Sequence, residues 1–204
     1  MPTLRSRRED YSESTRTALV NSATDLFTKR GYAGTSLDEV AKRARVTKGA
    51  LYHHFSGKQA LFEAVFDEVE TQVRAPLEAI RRGPLPPWER ALTALRMFID
   101  QCQEPTYQRI VIHEAPVVMG WERWREAEDH FSFGLVRGCL EDLVEAGEVD
   151  EVPIETTARL LFGALSSAAM MIAASSEPKA VGAEVELVLV TLLSSIRKAE
   201  RPRG

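Results

Sequence analysis

The stretch TSLDEVAKRARVTKGALYHHF, residues 35–55, is typical of two short helices joined by a tight turn. Ser36 and Glu39 form the capping-box pattern, in which the hydroxyl and the carboxylate each accept a hydrogen bond from the other residue's backbone amide. Only two residues separate Ala44, the end of this helix, from Thr47, which is a good N-cap for the next one. Two short helices joined in this way and braced by a preceding helix make a helix-turn-helix.

Helical patterning continues along the rest of the chain. The first helix is expected to begin at Ser12 or Ser14 and to stop at Gly31, a residue suited to follow a helix end. A fourth helix is expected after Ser56, and Pro76 should bend or end it. The later helical stretches are expected near 88–103, 105–115, 121–146, 153–175 and 179–199. We therefore predict an all-α protein of roughly nine helices.

The adjacent residues His53 and His54 raise the question of a metal site. Consecutive side chains on a helix point about 100° apart, whereas helical metal ligands are spaced four residues apart. The two histidines therefore cannot share one ion, and we predict no metal and no cofactor. The helix instead turns Lys48, Gly49 and Tyr52 outward together with His53, within one arc of about 140°.

These outward-facing residues suit a DNA-binding surface. Lys48 can donate to guanine O6 and N7 or to phosphate, and Gly49 lets the backbone approach base edges. Tyr52 and His53 can donate to phosphate oxygens. Expected helix N-termini, where free amides favour a phosphate, supply the further candidates Thr35, Thr47 and Lys58. Plain capping is the alternative explanation for the two threonines.

Charge is distributed unevenly along the chain. The formal net charge is −4, yet residues 1–58 hold eleven Lys and Arg against six Asp and Glu, a net charge of +5. The remaining residues hold fifteen basic and twenty-four acidic side chains, a net charge of −9. A basic N-terminal part followed by an acidic remainder indicates that the N-terminal part alone binds a polyanion. Solvated surface charge without a partner is the alternative, because it gives the same net charges.

The composition, 44% hydrophobic and 27% charged, is that of an ordinary soluble globular protein. Cys102 and Cys139 form neither a CxxC pair nor a disulfide framework, which suits a reducing cytosol. The most apolar helical stretches, 160–174 and 185–196, are expected to be too short or too rich in serine to span a bilayer, which needs roughly 20 residues. We therefore expect no membrane partner.

The longer stretch TSLDEVAKRARVTKGALYHHFSGKQALFEAVF, residues 35–66, closely resembles the DNA-binding region of the TetR family of bacterial regulators. Its specific features are a Thr-Ser start, the run Lys-Gly-x-Leu-Tyr-x-His-Phe and a lysine that opens the next helix. The resemblance implies a cytoplasmic, nucleoid-associated homodimer that binds a palindromic operator, represses transcription and lets go when a small molecule binds. It implies a DNA-binding domain at 1–58 and an effector-binding and dimerisation domain at 59–204.

On matching positions, the resemblance places the operator contacts at Thr47, Lys48, Gly49, Tyr52, His53 and Lys58. Arg45 departs from the family's pattern, because this turn position is commonly glycine. If the φ angle of Arg45 is positive, the residue costs about 1 kcal/mol, and a contact with phosphate would offset that cost. A slightly different turn is the alternative.

The last expected helix, 179–199, is apolar nearly all round and must be buried on more than one side. The helix before it carries small residues that let another backbone approach closely. Two such helices from each of two chains would form a four-helix dimer seam, as the resemblance implies. The seam candidates are Gly163, Ser167, Val185, Val188 and Leu192. A monomer that buries both helices internally is the alternative.

The expected body also contains candidate residues for a small-molecule pocket. They are Phe66, Met97, Phe98, Met119, Trp121, Trp124, Phe131, Met170 and Met171, with His113 and Ser166 as polar groups. So few polar candidates favour an apolar or weakly polar effector, but aromatic and methionine residues at helical spacing are also typical of a core.

Two other functions are alternatives to a ligand-responsive regulator. An enzyme is disfavoured because the sequence has no G-x-S-x-G, P-loop, G-x-G-x-x-G or H-E-x-x-H motif. A DNA-binding regulator without an effector stays open, because its first 66 residues would look the same.

Overall fold

The computed structural model describes residues 7–198, and these residues form nine helices, which confirms the all-α prediction. The α-helical segments are α1 (Arg7–Arg30), α2 (Leu37–Ala44), α3 (Lys48–His54), α4 (Lys58–Arg81), α5 (Pro87–Gln101), α6 (Pro105–Tyr107), α7 (Ala115–Val118), α8 (Trp121–Glu128), α9 (Gly134–Glu145), α10 (Ile154–Ala174) and α11 (Pro178–Ser195). A π-helix at Gln108–Glu114 joins α6 to α7, and another at Asp129–Phe133 joins α8 to α9, so that each joined set counts as one helix.

Several of the predicted helix ends differ from the observed ones. α1 begins at Arg7, before the predicted Ser12 or Ser14, because neither proline nor glycine interrupts the polar residues ahead of them. α4 contains Pro76 and continues to Arg81, so this proline does not end the helix. α11 ends at Ser195, and the predicted end at residue 199 lies outside the described residues.

The helix predicted over 105–115 extends to Val118 despite Pro116. The π-helix gives way to a new α-helical turn at Ala115, and Pro116 lies in the first turn of α7. A proline has no backbone N–H, so the hydrogen bond that this residue would donate to the preceding turn is missing at the junction.

The described residues divide into two compact units. The first unit contains the residues up to Glu70 together with Pro105–Trp124. In this unit α1 packs against α2, α3, α6 and the first π-helix. Its largest fully buried side chains are Leu19, Phe27, Val40, Leu51, Leu61, Phe62, Val65, Phe66 and Ile110. The rings of Phe27 and Tyr32 both meet Phe62 edge-on, at centroid distances of 5.4 Å.

Glu114, at the end of the first π-helix, anchors the chain that leaves α1 in this unit. Its Oε2 accepts a hydrogen bond from the Tyr32 backbone N–H at 2.8 Å. Its Oε1 lies 3.1 Å from Nε of Arg109. The π-helical segment is therefore part of the support for the N-terminal helices.

The second unit contains residues 71–104 and the chain from Arg125 onward. Here α5 packs against α9 and α11, and α10 packs against α9 and α11. Two buried clusters form the core, one made of Trp88, Leu143 and Val149, the other of Phe133, Leu140 and Ala158. Arg81 donates two hydrogen bonds to Asp142, at 3.1 and 3.0 Å. Neither Cys102 nor Cys139 forms a disulfide bond, and burial raises the pKa of Cys139 to about 11.

The two compact units do not divide at the predicted domain boundary between residues 58 and 59. The first half of α4 and Pro105–Trp124 group with the N-terminal helices, because apolar side chains such as Phe62 and Ile110 belong to that core. The functional division into 1–58 and 59–204 therefore stays a prediction.

α10 is longer than the apolar stretch 160–174 considered in the sequence. At 21 residues it is long and apolar enough to cross a membrane by length and composition, which corrects the expectation that it is too short. Those two properties alone are weak evidence, since helices in the core of soluble proteins share them. Within the second unit α10 packs beside α9 and α11.

Candidate nucleic-acid interface

The predicted capping box fixes the start of α2. Ser36 is extended (φ −106°, ψ 152°), its Oγ accepts a hydrogen bond from the Glu39 N–H at 3.3 Å, and Glu39 Oε2 accepts one from the Ser36 N–H at 3.1 Å. Arg30 donates to the other Glu39 oxygen at 2.7 Å. The bonds from Ser36, and then the guanidinium of Arg30, hold the pKa of Glu39 below its ordinary value. The end of α1 and the start of α2 are thus joined at one carboxylate.

The turn after α2 has the left-handed geometry that glycine usually supplies. Arg45 has φ 58° and ψ 37°, the one positive φ of a non-glycine residue in the described part of the chain. The N–H of Val46 donates to the Ala41 carbonyl at 3.0 Å, and the N–H of Arg45 donates to Lys42 at 3.2 Å. This is the Schellman arrangement. The positive φ costs Arg45 roughly 1 kcal/mol, while its side chain is exposed and available to a phosphate.

α3 has one buried side and one exposed side, as its sequence predicts. Thr47 Oγ1 accepts a hydrogen bond from the Ala50 N–H at 3.1 Å and caps the helix. Leu51 and Phe55 are buried and anchor the helix to the first unit. The exposed side presents Lys48, Gly49, Tyr52 and His53. The local sequence therefore fixes which residues α3 presents to solvent.

The two adjacent histidines have different surroundings. His54 is half-buried, with its ring centroid 6.4 Å from that of Phe55, whereas His53 is exposed. Burial, and then the nearby charges of His53 and Arg16, lower the pKa of His54. Between residues 7 and 198, no group of three or more His, Cys, Asp or Glu side chains is arranged to hold a metal ion.

Gly49 is a glycine that the chain itself does not require. A Cβ built on it would meet only Oγ1 of Thr47, at 3.9 Å, which is an ordinary van der Waals distance. Its φ is not positive, so an L-residue would not be strained. Glycine in a helix costs roughly 0.5–1 kcal/mol relative to alanine. The packing of the single chain therefore does not explain a glycine at this exposed position.

Lys48 has an acidic neighbour that sequence reasoning did not anticipate. Its Nζ lies 2.7 Å from Oδ1 of Asp38 in the first turn of α2, and both side chains are more than half exposed. The hydrogen bond that Lys48 donates to the Asp38 carboxylate raises the pKa of Lys48. The two residues are ten positions apart and lie on different helices, so no local spacing rule points to the pair.

Two candidate phosphate contacts have different accessibility. Thr35 is only 2% exposed, and its hydroxyl donates to the Gly31 carbonyl at 2.9 Å. Its side chain is therefore not available to DNA, and the predicted phosphate contact at this helix start stays a prediction. Lys58, at the start of α4, places its ammonium 4.4 Å from the centroid of the Tyr32 ring and keeps part of its surface exposed.

The predicted pocket residues are distributed over both units. The first unit holds Phe66, His113, Met119, Trp121 and Trp124, and the second holds Met97, Phe98, Phe131, Ser166, Met170 and Met171. Phe66 and Met119 are buried, while His113 is exposed. The rings of Trp121 and Trp124 lie 5.0 Å apart; Trp121 is 64% exposed, and Nε1 of Trp124 is buried without a hydrogen-bond partner among the described residues. Their joint role in a pocket stays a prediction.

Most of the predicted seam residues are exposed in the single chain. Gly163 and Ser167 on α10 and Val188 and Leu192 on α11 face solvent. Val185 does not, because it is only 7% exposed in the single chain, and its place in the seam stays a prediction. The exposed apolar face also includes residues not predicted for the seam: Leu160, Met170, Met171 and Leu187. Leu160, Met170 and Met171 lie three or four residues from Gly163 or Ser167, and this helical spacing is the signal that could have identified them.

Comparison with known protein families gives two matches. Residues 19–65 match the family model described as bacterial regulatory proteins, tetR family. Residues 88–196 match the one described as tetracyclin repressor-like, C-terminal domain, which by itself covers more than half of the chain. The matched families are regulators of transcription and not enzymes.

Individual relatives agree with these matches. The Transposon Tn10 TetC protein of Escherichia coli is 26% identical over 162 residues, which cover 78% of this chain and 80% of that protein. A solved TetR-family transcriptional regulator from Pectobacterium atrosepticum is 32% identical, with a TM-score of 0.84 over 97% of this chain and 100% of the other. FadR of Thermus thermophilus, a TetR-family repressor solved with lauroyl-CoA, is 22% identical, with a TM-score of 0.68 over 93% of this chain and 100% of the other.

Proposed function

This chain belongs to the TetR family of bacterial transcriptional regulators, and on that premise we propose that it is a ligand-responsive repressor. It binds a palindromic operator as a homodimer and is released by a small, largely apolar molecule. The observation that carries the proposal is the exposed side of α3, where Gly49 leaves backbone uncovered between Lys48 and Tyr52. Association with the nucleoid follows from operator binding.

The DNA contacts follow from placing α3 in the major groove, which is wide enough to admit a helix. Lys48 and the backbone at Gly49 lie nearest the base edges. Tyr52 and His53 donate to phosphate oxygens, as do three residues at the ends of the neighbouring helices and turn. These are Arg45, Thr47 and Lys58. Contacts of the first kind carry sequence preference, whereas phosphate contacts set position and salt dependence.

The homodimer is supported by the exposed apolar face of α10 and α11 in the second unit. Val188 and Leu192 are 56% and 53% exposed. Exposing these apolar side chains to water is unfavourable, and packing against the same face of a second copy would bury them. A Cβ at Gly163 would meet no atom within 4 Å, so the chain itself does not require glycine at this helical position. A close approach of a partner helix gives it a function. Burial of this face in a dimer would also explain why α10 is apolar, so that no membrane is needed to explain its composition.

The effector is assigned to the C-terminal domain, 59–204. Support comes from the apolar side chains of the predicted pocket residues and from FadR of Thermus thermophilus, a protein of the same fold solved with lauroyl-CoA. Trp124 Nε1 is a buried donor without a protein partner among the described residues. We propose that the effector is mainly apolar and is recognised among the aromatic and methionine residues of that domain.

The test begins with DNA selection. Duplexes bound by the purified protein are selected from a random pool and sequenced, and the proposal expects one palindromic motif. Apolar compounds are then screened for release of the labelled duplex and for a raised melting temperature of the free protein. A non-palindromic or absent motif would contradict operator binding by a dimer. A palindrome that no compound of the panel releases, with no thermal shift, would favour the regulator without an effector.

A further inference from the structure

The aromatic ring of Tyr32 lies under the ammonium of Lys58 in the first unit. The Lys58 Nζ atom is 4.4 Å from the ring centroid, a distance at which the negative face of an aromatic ring attracts a cation. Tyr32 belongs to the turn after α1, and Lys58 is the first residue of α4. The contact therefore joins two parts of the chain that flank the helix-turn-helix.

Contacts that do not involve Lys58 hold this ring in place. The Phe62 ring meets it edge-on at a centroid distance of 5.4 Å, and the Phe27 ring lies 5.8 Å away. The Tyr32 backbone N–H donates to Glu114 at 2.8 Å. Burial raises the pKa of the Tyr32 phenol, so the ring is neutral at physiological pH. The ring is thus a fixed and uncharged surface for the lysine.

We propose that Tyr32 is a positioning residue for DNA binding, because its ring holds the Lys58 ammonium where it donates to a phosphate of the operator. The contact between ring and ammonium persists in the complex with DNA. The inference rests on the DNA-binding function proposed above and goes beyond it, since Tyr32 itself is not proposed to touch DNA.

One ammonium can contact the ring and a phosphate at the same time. It has three N–H donors, and the side chain of Lys58 keeps part of its surface exposed. The ring carries no formal charge, so it leaves the positive charge of the lysine for the phosphate. Lys48 is in a different situation, because the Asp38 carboxylate 2.7 Å away compensates its charge. The Tyr32 contact therefore does not have to break when DNA binds.

The ring favours binding because the lysine side chain loses less conformational freedom on forming the complex. Ordering a long, flexible side chain at an interface lowers affinity. A lysine that already lies on the ring has lost part of that freedom in the free protein. An exposed cation–π contact shifts an equilibrium by about two- to fivefold. This factor is the upper limit of the gain in affinity for each subunit.

The experiment is a double-mutant cycle in the full-length protein, made of Tyr32→Leu, Lys58→Met and the double variant. Dissociation constants are measured for the selected operator and for a scrambled duplex of equal length, at several salt concentrations. Tyr32→Phe keeps the ring and is the conservative variant. Tyr107→Leu removes a buried tyrosine elsewhere in the first unit and is the matched control, made with and without Lys58→Met. Circular dichroism checks the fold of each variant.

Tyr32→Leu should weaken operator binding by up to about fivefold for each subunit, which is up to about 25-fold for the dimer. Binding to scrambled DNA should weaken similarly, because a phosphate contact does not read sequence. In the Lys58→Met background the same change should have no further effect. Tyr32→Phe should keep the wild-type affinity within about twofold, and the effect of Tyr107→Leu should be the same in both backgrounds.

Two further readouts separate positioning of the lysine from loss of its contact. Lys58→Met should lower the salt slope of binding by about one unit per subunit, because a phosphate contact is lost. Tyr32→Leu should keep the slope, because the lysine still reaches the phosphate. In NMR spectra of the wild-type protein, the ring should shift the methylene protons next to the Lys58 ammonium upfield, both free and bound to operator. This measurement stands even if Tyr32→Leu does not fold.

Four results would overturn the proposal. An equal loss from Tyr32→Leu with and without Lys58 would mean that the ring supports only the fold of this surface. Unchanged or tighter operator binding in Tyr32→Leu would mean that the ring does not assist the lysine. Loss of the upfield shift on operator binding would mean that the contact breaks. Wild-type affinity and salt slope in Lys58→Met would remove the phosphate contact. If the wild-type protein selects no sequence, the DNA-binding function itself fails, which is a different outcome from these four.

Discussion

Replacing Gly49 by alanine should make the protein more stable and its DNA binding weaker. The added Cβ meets only Thr47 Oγ1 at 3.9 Å, so the chain accommodates it without a clash. Alanine is favoured over glycine in a helix by roughly 0.5–1 kcal/mol. For a chain of this length, that gain corresponds to a rise in melting temperature of about 1–4 °C. The free protein therefore gains stability from the substitution.

The DNA complex should respond in the opposite direction. A methyl group placed between the helix backbone and base edges overpacks the contact, at a cost of roughly 1–3 kcal/mol for each half-site. Operator affinity should therefore fall by about tenfold or more, which is at least ~1.4 kcal/mol. Fluorescence anisotropy with labelled operator gives the affinity, and calorimetry gives the stability.

Gly134→Ala is the matched control for this substitution. Gly134 is exposed at the start of α9, and a Cβ there would meet no atom within 4 Å. It should give a similar gain in stability and leave operator affinity unchanged. Wild-type operator affinity in Gly49→Ala would refute the reasoning that DNA approaches this backbone.

Two further substitutions test the turn and the seam. Arg45→Gly should raise the free energy of unfolding in urea by roughly 1 kcal/mol, because glycine adopts φ 58° without strain. The operator affinity of this variant should fall, because it loses a phosphate contact. A lower free energy of unfolding would contradict the turn geometry. Val188→Arg should give a monomer in sedimentation and abolish tight operator binding, since a charge in an apolar seam is unpaired. Val117→Arg, which changes a valine that is 82% exposed in the first unit, should stay dimeric; a dimeric Val188→Arg would place the interface elsewhere.

The parts of the fold that the sequence predicts best are those governed by local chemistry. Ser36 and Glu39 form their capping box with each other, and Thr47 caps α3 by bonding a backbone amide three residues away. The outward side of α3 follows in the same way from helical geometry and the burial of Leu51. Each of these features depends on residues within a few positions of one another.

The features that the sequence does not predict depend on contacts between distant residues. Thr35 stands beside a helix start, yet the fold buries its side chain against Gly31. Val185 shares a helix with Val188, yet Val185 is buried and Val188 is exposed in the single chain. The Asp38–Lys48 pair requires the turn geometry that brings α2 and α3 together. The local sequence pattern identifies these residues as candidates, but it does not predict whether they are buried or which distant residues they contact.

The π-helices show a limit of another kind. Helical periodicity predicts helices near 105–115 and 121–146, and helices are present there, but Gln108–Glu114 and Asp129–Phe133 are wider than an α-helix. Such a turn shifts the helical register, so a period of 3.6 residues no longer predicts which side chains share a face beyond it. This affects the predicted pocket residues Met119 and Phe131, which lie after or within these turns.

The central claim is that two copies of α3 read two half-sites of one DNA duplex. Hydroxyl-radical footprinting of the selected duplex tests it most directly, with wild-type protein and with Val188→Arg at the same concentration. The account predicts two symmetric protected regions whose centres lie about 34–36 Å apart, one helical turn of DNA, and loss of both in the variant. A single asymmetric protected region for the wild-type protein, or an unchanged footprint for Val188→Arg, would contradict it.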